Sequence, residues 1–184
     1  CKVSDVLYKF YLQNKREANV LVEGAQGFGL DINHGDYPYV TSSHCISTDV
    51  FNLGINFTGN CLIWGVAKIY ETYVGAKTFT NEEDESLSMI QKEGKEFGST
   101  TERPRQCNYL NLNTLIESSF INQVNILVIN KCDILQNLNI YRMYIDGKLK
   151  TYYSFDNMKN DIKNKLMELP NIQNVLFSNS PSKI

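Results

Sequence analysis

Four glycines, at positions 24, 27, 29 and 35, punctuate a polar stretch that follows directly on the apolar run Val20-Leu21-Val22. This order constrains the fold more than any other feature of the chain. An apolar, β-branched run reads as the end of a buried strand. Glycines behind it let the backbone turn sharply and pass close to other groups. Gln26, Asn33, His34, Thr41, Ser42 and Ser43 are interleaved with them. A strand running into a glycine-rich polar loop is how α/β proteins build ligand sites at strand ends. A long surface loop without a ligand has the same composition, so residues 20–43 leave both readings open.

The rest of the chain supplies the alternation that an α/β sheet needs. Residues 3–13 carry Val3, Val6, Leu7, Phe10 and Tyr11 at helical spacing, which predicts an amphipathic helix. Residues 61–74 are apolar, β-branched and aromatic and read as one long strand, with a helix as the competing assignment. Residues 81–97 begin acidic and predict a surface helix. Residues 111–123 predict a second one, with Leu112, Leu115, Ile116 and Phe120 facing the core. Residues 124–130 read as a short buried strand. Asp146-Gly147 marks a hairpin between residues 141–145 and 148–154. Asp156 is placed to cap a helix running to Leu169, with Pro170 ending it. Residues 172–177 form a last strand. The expected fold is therefore α/β, a mostly parallel sheet with flanking helices and an antiparallel hairpin. No linker or repeat interrupts the 184 residues, so residues 1–184 are expected to form a single domain.

Hydrophobic residues make up 42% of the chain and charged residues 21%, which is ordinary for a soluble globular protein. A net charge of -2 argues against a nucleic-acid-binding or membrane-binding surface, and no apolar run reaches transmembrane length. The five cysteines are scattered without metal-ligand spacing, which fits reduced cytoplasmic thiols and no structural zinc. The chain starts at Cys1, inside the first helical pattern, and is expected to be a fragment.

Two motifs carry chemistry. Asn130-Lys131-Cys132-Asp133 follows a buried strand directly. A carboxylate there can accept hydrogen bonds from both guanine N1–H and the 2-amino group, which adenine does not offer in that arrangement. The lysine stem can cover the base, and the asparagine can brace the loop. A charged strand-to-helix turn has the same residues. Gly98-Ser99-Thr100-Thr101-Glu102-Arg103-Pro104-Arg105 joins two guanidinium forks to three hydroxyls. Such forks grip carboxylates and phosphates, and Pro104 stiffens the spacing between them. A solvated basic turn is the alternative. His34 and His44 read as structural or solvated loop histidines.

These residues carry a resemblance. Glu23-Gly24-Ala25-Gln26-Gly27, Leu30-Asp31-Ile32, His34-Gly35, Tyr37-Pro38 and Val40-Thr41-Ser42-Ser43 resemble the nucleotide-site loop of adenylosuccinate synthetases. Asn33 and Asp36 stand where that family usually has Asp and Thr. Residues 98–105 resemble the family loop Gly-x-Thr-Thr-Gly-Arg-Pro-Arg-Arg, with Glu102 in place of a glycine and Gln106 in place of an arginine. Residues 65–75 resemble the strand along the nucleotide ribose, with Tyr73 for an arginine and Thr78 and Thr80 for two prolines. Lys131 and Asp133 match the family's Thr-Lys-Leu-Asp. Ser178-Asn179-Ser180 matches its late serine-rich turn, with Ser182-Lys183 where Asp-Arg often follows. The resemblance runs from about Val20 to Pro181, and the short span between Asp133 and Ser178 looks like the compact archaeal and viral forms.

The resemblance implies a P-loop NTPase-related fold, incomplete at the N-terminus. It implies a ligase that makes adenylosuccinate from IMP and L-aspartate through a 6-phosphoryl-IMP intermediate, in AMP biosynthesis. GTP is the co-substrate, Mg2+ the metal, and a homodimer the assembly. Gln26, Thr41, Val74 and Arg103 would touch IMP, with Gln26 donating to the purine 6-oxygen as charge develops there. Ser99, Thr100, Thr101, Arg103 and Arg105 would hold aspartate, where the acid of Glu102 is unfavourable. Arg105, Lys131, Asp133, Ser178, Asn179 and Ser180 would hold GTP. The family's phosphate loop, aspartate base, magnesium ligands and catalytic histidine lie N-terminal to the matched segment, so no catalytic residue is expected in this chain and the fragment alone is expected to be inactive. Two alternatives are a phage-type enzyme making 2-aminoadenylosuccinate from dGMP and an inactive nucleotide-binding remnant.

Overall fold

The computed structural model describes residues 3–14, 20–53, 61–81, 83–98 and 102–180. Its contacts divide the chain into two units, Cys1–Cys61 and Leu62–Ile184.

In the first unit, helix α1 spans Val3–Asn14, as the spacing predicts. Val6 and Phe10 are nevertheless exposed rather than buried. The strand expected at residues 20–22 does not form. That segment is irregular and Leu21 is 94% exposed. Among the described residues nothing pairs with it, and three residues without a ladder do not hold β geometry. Residues 26–53 instead fold back on themselves around two 3-10 helices, the single turn Phe28–Leu30 and the longer Ser47–Leu53. Thr41 N–H donates to Leu30 C=O (2.8 Å) and Ile32 N–H to Ser43 C=O (3.3 Å). The glycines divide into two kinds. A Cβ on Gly35 would lie 2.5 Å from the Gly29 carbonyl oxygen and 2.7 Å from that of Asp31, so only glycine fits. Gly24, Gly27 and Gly29 have open space around them.

The second unit holds β1 (Trp64–Lys68), β2 (Tyr70–Tyr73), α2 (Glu85–Glu93), β3 (Gln106–Asn111), α3 (Leu112–Ile121), β4 (Ile126–Asn130), α4 (Cys132–Leu138), β5 (Arg142–Ile145), β6 (Lys148–Thr151), α5 (Phe155–Met167) and β7 (Asn174–Phe177). The strands form two sheets. One has the order β1-β4-β7 and is parallel throughout. The other, β2-β3-β5-β6, pairs β3 with β5 in parallel and its outer pairs antiparallel.

The single long strand expected over residues 61–74 is thus two strands in different sheets. The break falls at Ile69, whose side chain is fully buried and whose N–H still donates to Asn130 C=O (3.0 Å) before the chain bends away. An unbroken apolar run carries no signal for such a change of sheet. Strand β3 and the short α4 add elements that periodicity did not reveal. Phe120 is half exposed, and α3 is anchored by Leu112 and Leu115. Ser154, not Asp156, caps α5 by accepting from Asn157 N–H; Asp156 lies in the first turn, where its charge suits the helix N-terminus. The hairpin forms as expected, with Asp146 (φ 50°) and Gly147 (φ 71°) both left-handed, as a two-residue turn between twisted strands requires.

The core of this unit is continuous. Ile129 of β4, Met143 of β5, Leu87 and Ile90 of α2, and Met158 and Ile162 of α5 are essentially fully buried within it. Because Ile162 has no exposed surface to collapse onto, Ile162→Ala is expected to lower stability by about 2–5 kcal/mol, read as a reduced urea midpoint with an unchanged slope.

Candidate functional site

Parallel strands deliver their C-terminal ends to the same edge of a sheet, and the turns that leave that edge form the crevices of α/β proteins. Here β4 ends at Asn130 and β7 at Phe177. The turns after them are stitched together: Cys132 N–H donates to Ser178 C=O (3.2 Å), and Ser178 N–H to Ile129 C=O (2.8 Å). The two sequence-predicted base-reading segments are therefore neighbours. Lys131 takes the left-handed conformation (φ 62°) that starts α4. Asp133 lies in the first turn of α4, half-buried, and its carboxylate makes no hydrogen bond or ion pair among the described residues. The Ser178 hydroxyl donates to Ser180 C=O (2.7 Å), which tightens that turn and leaves Asn179 exposed. Asn130 does not brace the loop through its side-chain oxygen, which is buried without a partner among the described residues. Burial pushes the Cys132 thiol up to about 12, so it packs as an apolar group.

Beside these turns lies a feature that motif reading missed. Glu96 is 1% exposed and accepts four hydrogen bonds from three side chains. Lys68 Nζ lies 3.0 Å from Oε1 and 2.9 Å from Oε2. The Tyr70 hydroxyl donates to Oε1 (2.7 Å) and Arg105 Nη1 to Oε2 (3.0 Å). Lys131 Nζ stands 3.4 Å from Oε1 while donating to Gly94 C=O at 2.6 Å. Gly94 keeps this space open, since a Cβ there would collide with the Tyr70 hydroxyl. Burial alone would push the Glu96 carboxyl up. The hydrogen bonds from Lys68 and Tyr70 and the charges of Lys68 and Lys131 outweigh it and hold the group below its ordinary value. Burial pulls Lys68 down, and the Glu96 pull only partly opposes it. The carboxylate, with its four hydrogen bonds, is the member whose ionisation the geometry fixes. Only the run of Lys68, Arg105 and Lys131 needing a common counter-charge could have pointed to Glu96 in the sequence.

The arginine loop is built from the same residue outward. Arg105 N–H donates to Glu96 C=O (2.9 Å), Phe97 bridges Pro104, and Gly98 N–H donates to Arg103 C=O (2.9 Å). Glu102 sits at φ 51°, a conformation glycine adopts without strain, which accounts physically for the family's glycine there. Arg103 is exposed, and its guanidinium makes no hydrogen bond or ion pair among the described residues. Arg105 is half-buried on Glu96. The two arginines are thus unlike: one is free for a ligand, the other already engaged through one nitrogen. Ser99, Thr100 and Thr101 lie outside the described residues. Gln106 clamps the segment after β2. Its amide nitrogen donates to Gly75 and Lys77 C=O (3.3 and 2.8 Å), and its oxygen accepts from Phe79 and Thr80 N–H (2.8 and 3.3 Å). Val74, just ahead of that segment, is exposed.

In the first unit, Gln26 and Thr41 meet. Gln26 Nε2 donates to Thr41 Oγ1 (3.2 Å), while Ser43 Oγ donates to Gln26 Oε1 (3.0 Å). Beneath them Asp31, covered by its own loop, accepts from Asn33 N–H (2.8 Å), His34 N–H (3.1 Å) and Cys45 N–H (2.5 Å). Burial raises the Asp31 carboxyl, but these three N–H groups and the His44 charge bring it below its ordinary value. His44 pairs with Asp31 at 3.7 Å and His34 stacks on Phe28, so both histidines serve the loop. Among the described residues no three His, Cys, Asp or Glu side chains gather as a metal site. No step below passes through a metal.

The depressed carboxyl of Glu96 carries a pH consequence. A folded value below the unfolded one contributes stability above the ordinary 4.5 and loses it as pH falls through the folded value. Unfolding free energy measured from pH 7 to pH 3 should fall most steeply below about pH 4. In Glu96→Gln that acid-side fall should be shallower.

Residues 2–176 match the sequence model of the adenylosuccinate synthetase family. The chain is 38% identical over 155 residues to adenylosuccinate synthetase of Nitrosospira multiformis, covering 80% of this chain and 34% of that protein. It is 39% identical over 162 residues to adenylosuccinate synthetase 2 of Chromobacterium violaceum, covering 87% and 36%. It therefore spans about a third of the length of these curated relatives. The fully ligated adenylosuccinate synthetase of Plasmodium falciparum has a similar structure, with a TM-score of 0.68 and 32% identity over 87% of this chain and 40% of that one. The succinoaminodeoxyadenylate synthetase of cyanophage S-2L, solved with dGMP and with dATP as energy donor, shares the fold at a TM-score of 0.66 and 15% identity, over 97% and 47% of the two chains. With the turns of β4 and β7 joined, the arginine loop closed on Glu96 and the family pattern running through residues 2–176, the chain belongs to the adenylosuccinate synthetase family.

Proposed function

We propose that these residues supply the base-reading, IMP-binding and aspartate-binding parts of a ligase that forms adenylosuccinate, GDP and phosphate from IMP, L-aspartate and GTP, in AMP biosynthesis. The joining of residues 131–133 to residues 178–180 beside Arg105 supports this reading most. Asp133 has both carboxylate oxygens uncommitted among the described residues and takes the guanine N1–H and 2-amino donors. The Lys131 stem covers the base, and the Ser178-Asn179-Ser180 turn closes beside it. Arg103 grips an aspartate carboxylate, and Arg105 reaches aspartate and GTP with the donors that Glu96 does not use. Thr41 holds the IMP phosphate. Gln26 donates to the purine 6-oxygen, whose phosphorylation turns that oxygen into a leaving group for the aspartate amine. Ser99, Thr100 and Thr101 complete the aspartate grip, and Val74 presents backbone to the ribose.

Magnesium, a homodimeric assembly and a cytoplasmic setting belong to the reading through the family resemblance. Phosphoryl transfer needs a phosphate cradle, a metal and a positioned base. In this reading residues outside 1–184 provide them, and residues 1–184 alone bind nucleotide without turnover.

Asp133→Asn in the full chain should weaken GTP by about 10- to 100-fold, since an amide cannot accept from both guanine donors. Equal changes for GTP and ATP in competition binding would remove Asp133 as the base reader. Arg103→Leu should raise the aspartate KM by at least about tenfold with the melting temperature nearly unchanged, because this exposed guanidinium holds nothing among the described residues. A lowered melting temperature with unaltered aspartate kinetics would assign it a structural role instead.

A further inference from the structure

We infer that Glu96 is a positioning residue: its buried carboxylate sets the spacing of Lys68, Arg105 and Lys131 as one cluster, and so holds Arg105 and the Lys131 stem in place to meet GTP. The inference rests on the proposed GTP reading. The cluster itself stands on geometry alone.

Three cations converge on one carboxylate within 3.4 Å, leaving an excess of positive charge in a partly buried place. Without a common counter-charge, these ends would repel one another and their long side chains would splay. Their roles differ in donor capacity. Lys68 spends its ammonium on both oxygens of Glu96 and on Thr72 Oγ1 (3.0 Å), so it anchors the carboxylate. Arg105 donates to Glu96 through Nη1 alone, which leaves Nη2 and Nε in its planar fork. Lys131 spends one donor on Gly94 C=O, stands 3.4 Å from Glu96 as an ion pair, and retains its other donors. The oxygens of Glu96 are filled by Lys68, Tyr70 and Arg105, so the carboxylate has no capacity to meet a ligand itself. It acts through the two cations with donors to spare.

The three cations come from separate elements. Lys68 ends β1, Lys131 follows β4, and Arg105 precedes β3. Gly94 and Glu96 follow α2. Glu96 is thus the point where a sheet edge, a helix end and the arginine loop share one electrostatic contact.

The test uses Glu96→Gln in the full chain, with Glu96→Asp as a second variant that keeps the charge and shortens the reach. The first readout needs no ligand or activity: acetylation rates of Lys68 and Lys131 with acetic anhydride, followed by mass spectrometry. Both should rise severalfold in Glu96→Gln and return toward wild type in Glu96→Asp. The second readout is kinetic. The GTP KM should rise about tenfold or more in Glu96→Gln with kcat changed much less, and Glu96→Asp should recover part of the loss. Unchanged lysine rates in both variants would overturn the role of Glu96. Raised lysine rates with an unaltered GTP KM would overturn it as well, reducing Glu96 to a packing element. If Glu96→Gln does not fold, Glu96→Asp decides by the same two readouts. A wild-type protein indifferent to GTP defeats the proposed function, and the lysine rates then judge the cluster alone.

Discussion

Strand β4 runs between β1 and β7 with both pairings parallel, and the larger unit is organised by that arrangement. Parallel pairing in register brings Lys68, Asn130 and Phe177 to one edge. Had β7 run the other way, the Lys131 and Ser178 turns would open at opposite ends of the sheet, and had β1 done so, Lys68 would have left this edge. The burial of Leu127, Val128 and Ile129 holds β4 in place. Strands covered on both faces read as continuous apolar runs, and Ile126–Asn130 is such a run. Hydrophobic burial thus fixes where the charged turns emerge, although no apolar residue takes part in their chemistry.

Much of this arrangement was legible in the sequence, for identifiable reasons. The hairpin at Asp146-Gly147 was legible because a two-residue left-handed turn demands those residue types. The helices α1, α2, α3 and α5 were legible from periodicity, and that Lys131 and Ser178 stand in neighbouring turns was legible from the family resemblance. The change of sheet at Ile69 was not, because a buried residue between two strands looks like any other member of an apolar run. Nor was the Glu96 cluster. Its members are separated by up to 63 residues, and only the fold brings them together. The contrast between Arg103 and Arg105 was hidden as well, since two arginines flanking one proline have the same local chemistry. Their difference arises because Arg105 sits opposite Glu96 in a backbone pair.

The two departures from the family pattern in the arginine loop have different physical meanings. Glu102 replaces a glycine where the backbone is left-handed, so the substitution strains φ, while its exposed side chain touches no structural partner among the described residues. Gln106 replaces an arginine and is fully employed, tying down four backbone groups between Gly75 and Thr80. An arginine could donate to the two carbonyls there but could not accept from the two N–H groups. The segment after β2 therefore depends on an amide at this position.

The contact between Lys131 and the Gly94 carbonyl adds a further level of coupling. Gly94 closes the C-terminus of α2, where aligned peptide dipoles leave a partial negative charge and carbonyls without partners inside the helix. Lys131 fills one of these from a different element. The macrodipole of α2 is thus part of the charge balance around Glu96, and the helix acts as a second, diffuse counter-ion for the cations. Loosening the last turn of α2 would withdraw that field and release the Lys131 ammonium. The turn after β4 would then change its electrostatics through a helix that contributes no side chain to it.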